Sequence, residues 1–256
     1  MRQLIAFTKK EFTEYIRTGK LWIMLIIFFM FGIMNPAIAK LTPWLYEVMS
    51  ESMEEQGIVI ASVQVDALTS WMQFYKNIFM AVLVLAVMLS GILTSEYQKG
   101  TLINMLTKGL ARWKVIAAKS IAAMIVWSVC YWLCFGVTYG YNAYFWDNRT
   151  ASYVGAGAGC IYLFGIFVIA LLMLSSAVLR SSFSVLLMTG GVLIAAYLAS
   201  LVPAISEYNP IRLMSAGNIV YSGGKPEEFI GAAIVTAILC VAGFMAAIFC
   251  FDKKKL

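Results

Sequence analysis

At 256 residues, with 62% hydrophobic and 12% charged residues, the chain is far poorer in charge than a soluble domain, which carries about a quarter. Its formal charge of +6 comes from Lys and Arg placed beside apolar runs, with no continuous basic stripe, which speaks against nucleic acid as a partner. Histidine is absent, which excludes His-based triads, most catalytic zinc sites and the usual imidazole proton relay.

Residues 1–20 predict a basic amphipathic helix. On a helical wheel Leu4, Ile5, Phe12, Tyr15 and Ile16 fall within about one third of the circle, opposite Lys10, Thr13, Glu14 and Arg17, with Phe7 off that stripe. Such a helix lies flat in the headgroup region before the chain turns into a bilayer. The first apolar span covers 21–39, nineteen residues or roughly 28 Å at 1.5 Å per residue, enough for a hydrocarbon core. Asn35-Pro36 predicts a kink at its far end. Ala37-Ile38-Ala39 resembles a signal-peptidase site, but the apolar run exceeds a usual signal core and five further spans follow.

A loop of about 36 residues with the acidic cluster Glu47, Glu51, Glu54 and Glu55 comes next, flanked by Trp44 and Trp71 at the expected membrane interface. The remaining spans are expected over 76–93, 115–139, 158–179, 183–202 and 229–251, with a five-residue basic tail at 252–256. Arg180, Ser181 and Ser182 predict a tight turn between spans four and five. The segment between spans five and six holds Pro203, Pro210 and Pro226 and is too polar to cross, with 211–221 expected as a short surface helix.

Six spans place both termini on one side. Lys and Arg concentrate there, fourteen of them in the N-terminal segment, the loop after span two, Arg180 and the tail, against Lys40, Lys76, Arg149, Arg212 and Lys225 opposite. The positive-inside rule makes the termini cytoplasmic. The span interiors read as free of Asp, Glu, Lys and Arg, which argues against an ion-coupled transporter and against an intramembrane enzyme. The five cysteines lie in or beside apolar runs and read as small buried hydrophobes, and no metal ligand set is visible. Gly224-Lys225 is followed by Pro226 with no glycine five residues ahead of Gly224, so the chain has no phosphate-binding loop of its own. The spacings Gly136/Gly140 and Gly155/Gly159, with the pair Gly190-Gly191, suggest close helix contacts, either within the monomer or at a dimer seam.

The stretch 95–119 is the most structured of the connectors. Gly100 is placed to end a helix in the left-handed conformation, Thr101 to N-cap a new one over 102–108, and Gly109 to stop it. Leu102, Ile103, Met105 and Leu106 share one side of that short helix and Asn104 and Lys108 the other. The series Glu96, Gly100, Thr101 and Leu102, followed by Leu106, Arg112 and Lys119, resembles the first cytoplasmic loop of ABC-2 type permeases, the membrane subunits of type V ABC exporters. Many relatives carry a proline before the arginine, where this chain has Lys108-Gly109-Leu110-Ala111.

The resemblance implies an all-α integral membrane protein of six transmembrane helices with an amphipathic N-terminal connecting helix and a re-entrant region between helices five and six. It implies a permease homodimer in a bacterial plasma membrane, seated on two copies of a separate ABC ATPase that binds the ATP and magnesium, so no catalytic site or cofactor belongs to this chain. Carried over residue by residue, the ATPase-coupling contact over loop 95–114 comprises Glu96, Gly100, Thr101, Leu102, Met105, Leu106 and Arg112, supported by Lys9, Lys10, Phe12 and Tyr15 of the connecting helix. Glu96 is expected to pair with Lys10 or Lys9, or with a base on the ATPase. The aromatic and methionine content suits a hydrophobic or amphipathic cargo, a peptide, drug or lipid, and equally an ordinary membrane core. A non-transporting sensor or scaffold driven by the same ATPase fits the loop as well.

Overall fold

The computed structural model describes residues 2–54, 65–102, 107, 109 and 111–254. Ten α-helices are described: α1 (Arg2–Arg17), α2 (Lys20–Glu54), α3 (Ala67–Leu89), α4 (Thr94–Lys99), α5 (Arg112–Phe145), α6 (Val154–Val178), α7 (Ser182–Ala199), α8 (Pro203–Ser206), α9 (Asn218–Tyr221) and α10 (Ile230–Lys253). Short 3₁₀ turns stand at Asn148–Thr150, Pro210–Ser215 and Pro226–Phe229, and no strand is present among the described residues. Among the described residues, six helical segments are long and apolar enough to cross a membrane: Lys20–Leu45, Ala67–Gln98, Arg112–Phe145, Val154–Val178, Ser182–Ala199 and Pro226–Lys253.

The helices outrun the apolar spans that foreshadow them. α2 is 35 residues and α5 is 34, each roughly 50 Å long, well beyond a hydrocarbon core of about 30 Å. The expected loop after residue 39 is therefore helical as far as Glu54, through both Pro36 and Pro43. Long-range polar contacts make this possible at Pro36. Proline has no N–H, so the carbonyl of Gly32 loses its helical donor. The hydroxyl of Thr138 on α5 donates to that carbonyl at 3.0 Å. The same hydroxyl accepts from the Asn35 side-chain amide at 3.2 Å, and the Asn77 side chain of α3 donates to Asn35 Oδ1 at 3.0 Å. Asn35 and Thr138 are fully enclosed, so this small network ties α2, α3 and α5 together where water is absent.

α6 is the most enclosed helix and packs along α10, α5 and α7. Its contact with α5 is aromatic: Trp127 donates to the Tyr162 carbonyl at 3.1 Å and Tyr131 to the Ala158 carbonyl at 2.7 Å. Trp71, Phe74, Tyr131 and Trp127 are buried and pack ring against ring, so these aromatics form core. A side chain on Gly165 would fall on the Trp127 indole, and one on Gly157 on the Tyr75 hydroxyl. The spaced glycines behave differently. Nothing lies within 4 Å of a Cβ built on Gly136, Gly140, Gly155, Gly159, Gly190 or Gly191, so they make no close contact within this chain. α7, where Gly190 and Gly191 sit, buries only Val185 and Thr189.

The expected surface helix over 211–221 is also corrected. It is split into the 3₁₀ turn Pro210–Ser215 and α9, and it is an inward-packed segment, with Leu213, Ala216 and Ile219 buried against α3, α6 and α10. Asn209 fastens its start by donating to the Ala196 carbonyl at 2.8 Å and accepting from the Ile211 N–H at 2.9 Å. The turn at Arg180–Ser182 joins α6 to α7 at the expected place.

Replacing Thr138 by valine keeps the volume but strands the Gly32 carbonyl and the Asn35 amide. The expected cost is about 1–3 kcal/mol, read as a lower melting temperature of the detergent-purified protein, and an unchanged transition would contradict the repair of the Pro36 gap. Gly165→Ala forces the Trp127 ring out of its site, and loss of folded, monodisperse protein is expected on size-exclusion chromatography.

Candidate coupling site

Both ends of the chain meet on one side of the bundle, around α4 and the first turns of α5. α1 packs on α5, and the side chain of Lys114 reaches Gln3 at 2.6 Å. The face α1 turns inward is Phe7, Glu11 and Tyr15, at i, i+4 and i+8. This corrects the wheel. Ile5 and Ile16, counted in the apolar stripe, are exposed, and Phe7, left off it, is buried. The reason is Glu11, which is 3% exposed and must be turned toward the protein to reach its partner.

That partner is Lys119, two turns into α5 and only 2% exposed. Its ammonium lies 2.7 Å from Glu11 Oε2 and 3.2 Å from Glu96 Oε1. Lys10, on the rim, closes the group from outside at 3.0 Å from Glu96 Oε1, 2.9 Å from Glu11 Oε1 and 2.8 Å from Glu14 Oε2. Three carboxylates and two ammoniums thus join α1, α4 and α5, with Glu96 held by a lysine from each neighbour. The second oxygen of Glu96 has no hydrogen-bond partner among the described residues. Carboxylate oxygens of Glu11, Glu14 and Glu96 lie within 4.8 Å of one another, but the two ammoniums occupy the positions a cation would take. A cavity of about 30 Å³ beside Glu11, Glu14, Ser95 and Lys119 has room for a water molecule.

The charge count groups Lys119 with the cytoplasmic-side bases and expects span interiors free of charge, whereas Lys119 is buried within the membrane-length segment Arg112–Phe145. A signal for the cluster was present: Glu11 stands between Phe7 and Tyr15 on one helix face, an acid where an apolar residue would otherwise pack. Of the connecting-helix candidates, Lys10 reaches Glu96, Tyr15 is buried, Phe12 is half-buried against the core and Lys9 is exposed.

On the loop side, Gly100 ends α4 in the left-handed region, φ +65°, as its type predicts, and Gly109 has φ +87°. Thr101 and Leu102 are helical and Leu102 is 1% exposed. Met105 and Leu106 lie outside the described residues. Arg112 is engaged within the chain. It donates to the carbonyls of Phe251, Asp252 and Lys254 at 3.3, 2.9 and 2.6 Å, satisfying the end of α10. Lys254 does the same for α6, donating to Ala177 and Leu179 carbonyls at 2.9 and 3.1 Å while lying 4.3 Å over the Tyr97 ring. The tail is therefore built into the site through Lys254, whose ammonium is made easier to deprotonate by burial and by nearby Arg180.

Lys119→Leu leaves Glu11 and Glu96 buried without their inner cation, with an expected loss of about 3–5 kcal/mol. In a double-mutant cycle read by thermal unfolding, Glu11→Leu combined with Lys119→Leu costs less than the sum of the single changes, and strict additivity would rule the pairing out. The rim pair has a defined pH window. Burial opposes the charge of Lys10, but hydrogen bonds from Glu14 and Glu11 outweigh it and raise its pKa well above 10.5. Burial likewise opposes the charge of Glu14, and the Lys10 hydrogen bond outweighs it and lowers the pKa from 4.5. Their contribution is therefore complete between the two ordinary values. It is lost in acid as pH falls through the lowered Glu14 pKa, and in base as pH rises through the raised Lys10 pKa. Hydrogen exchange of α1 is expected to be flat in protection between about pH 5 and 10, and Lys10→Ala to remove that protection.

Two comparisons bear on what this arrangement belongs to. A family model described as "ABC-2 family transporter protein" matches residues 5–212, which takes in α1, the ion cluster and the loop after α4. The chain is also similar to the uncharacterized transmembrane protein YxlG of Bacillus subtilis (strain 168), 20% identical over 246 residues, covering 94% of this chain and 93% of that protein. With six candidate membrane helices and a family match over most of its length, the chain belongs to the ABC-2 transporter family.

Proposed function

We propose that the chain is the permease subunit of an ATP-driven exporter, and that the ion cluster around Glu96 is where movement of the ATPase enters the membrane domain. Family membership implies an ABC ATPase and a membrane as partners. The observation that carries the finer reading is the position of Glu96. It stands four residues before Gly100 and is bonded both to Lys10 of α1 and to Lys119 of α5. A push on the loop after Gly100 is transmitted through α4 to both helices, because parting a buried ion pair leaves each charge uncompensated away from water.

In this reading two permeases form a homodimer over two ATPase subunits, the termini are cytoplasmic, and ATP with magnesium is bound and hydrolysed by the partner. The cargo is hydrophobic or amphipathic, a peptide, drug or lipid. Support for an apolar route comes from α6 and α7, which carry no Asp, Glu, Lys or Arg at all. Tilting of the loops as the ATPases close would rock the permeases between inward-open and outward-open forms.

The test is the permease reconstituted with its co-purifying ATPase in sealed vesicles. Glu96→Ala and Gly100→Pro are each expected to abolish substrate-stimulated hydrolysis while the ATPase keeps its basal rate. Lys10→Ala, which leaves the inner Lys119 pairs intact, is expected to reduce stimulation several-fold. Unchanged stimulation and transport in all three would end the coupling role. Loss of stimulation with no transport in the wild type would favour a sensor.

A further inference from the structure

On the far side of the bundle from the termini, α2 and α5 leave an open groove of about 470 Å³. Phe29 lines it from α2, and Gly136, Val137, Gly140, Tyr144 and Phe145 line it from α5, with Tyr144 and Phe145 farthest along that helix. Both glycines present bare backbone, because nothing lies within 4 Å of a Cβ built on either. From Gly136 to Phe145 the groove follows the α5 axis for roughly 13–14 Å at 1.5 Å per residue. Along one side of the groove, at Val137, α2 and α5 touch closely: a Cβ on Gly32 would lie 2.9 Å from that of Val137. The groove is therefore a gap between two helices that the network at Thr138 holds in place. Its outer end carries charge. Lys40 of α2 is exposed and its ammonium sits 3.9 Å over the Phe145 ring.

We propose that this groove is a binding site for one anionic phospholipid of the leaflet opposite the termini. An acyl chain lies along Gly136 and Gly140, and the phosphate meets Lys40. The polarity of the groove is that of such a lipid: apolar and aromatic along its length, parallel to the helices, with one cation at its water end. The cation–π contact holds the Lys40 ammonium at the level of the Phe145 ring, where a headgroup phosphate would stand. The two glycines set the depth, because any side chain there would take the volume of the acyl chain. This site is independent of the coupling reading and requires only that α2 and α5 cross a bilayer.

Native mass spectrometry of the detergent-purified protein tests it, with phosphatidylglycerol or phosphatidylcholine added in separate titrations. The wild type is expected to retain one phosphatidylglycerol per chain several-fold better than phosphatidylcholine. Lys40→Gln is expected to bring phosphatidylglycerol down to the phosphatidylcholine level. Gly140→Leu, a substitution that favours the helix and meets no neighbour, is expected to lower retention of both lipids about tenfold with helix content unchanged. Retention by Gly140→Leu equal to wild type overturns the groove, and retention by Lys40→Gln equal to wild type overturns the headgroup contact. If Gly140→Leu instead turns a dimer into a monomer and leaves lipid retention unchanged, the groove is covered by a second copy of the chain and the proposal fails.

Discussion

The contact of Lys119 with Glu11 and Glu96 governs how the surrounding helices are arranged. Three charged side chains, each no more than 5% exposed, come from three separate helices, and none can leave without abandoning the others in a medium that solvates charge poorly. Glu11 therefore dictates which face of α1 turns inward, and Lys119 fixes where α1 crosses α5. Glu96 sets the distance at which α4 stands from both. An apolar seam would have allowed α1 to slide or roll. Point charges about 3 Å apart do not. This is a registry device more than a source of stability, since well-packed hydrophobic residues often match a buried ion pair in free energy.

Around that cluster, helix ends are closed by cations from elsewhere in the chain. Arg112 takes the carbonyls at the end of α10, and Lys254, one of those acceptors, takes the carbonyls at the end of α6. The start of α5, the end of α10 and the end of α6 are thereby linked in sequence, and Tyr97 of α4 lies under the Lys254 ammonium. The loop that follows Gly100 is thus framed by two polar assemblies, one reaching α1 and the other reaching α6 and α10. A displacement of α4 has no soft route by which to be absorbed locally.

How much of this was legible follows from the range of each interaction. Gly100 and Gly109 were readable because a left-handed helix end depends on one residue type and its neighbours. The Lys10–Glu96 pair was within reach, since an acid at the end of a span invites a base from an amphipathic helix. The burial of Lys119 is not legible locally, because its partner, Glu11, is 108 residues away. The continuation of α2 past Pro36 is not legible for the same reason: a proline after Asn35 predicts a break, and the donor that replaces the lost hydrogen bond, Thr138, is 106 residues from the Gly32 carbonyl. The spaced glycines misled in the opposite sense. Their spacing is real, but Gly32, Gly157 and Gly165 do the close packing, and nothing local separates the two sets.

The two ends of α5 then carry different kinds of constraint. At the Arg112 end its polar groups are paired to other helices, through Lys114, Lys119 and Arg112 itself. At the Phe145 end it meets α2 through the Thr138 network and beyond that opens onto exposed aromatic surface, Tyr139, Tyr141 and Tyr144. The Arg112 end of α5 is therefore held by ionic contacts to α1 and α4, and its far half by directional hydrogen bonds to α2, so α2 and α5 are tied together along much of their length.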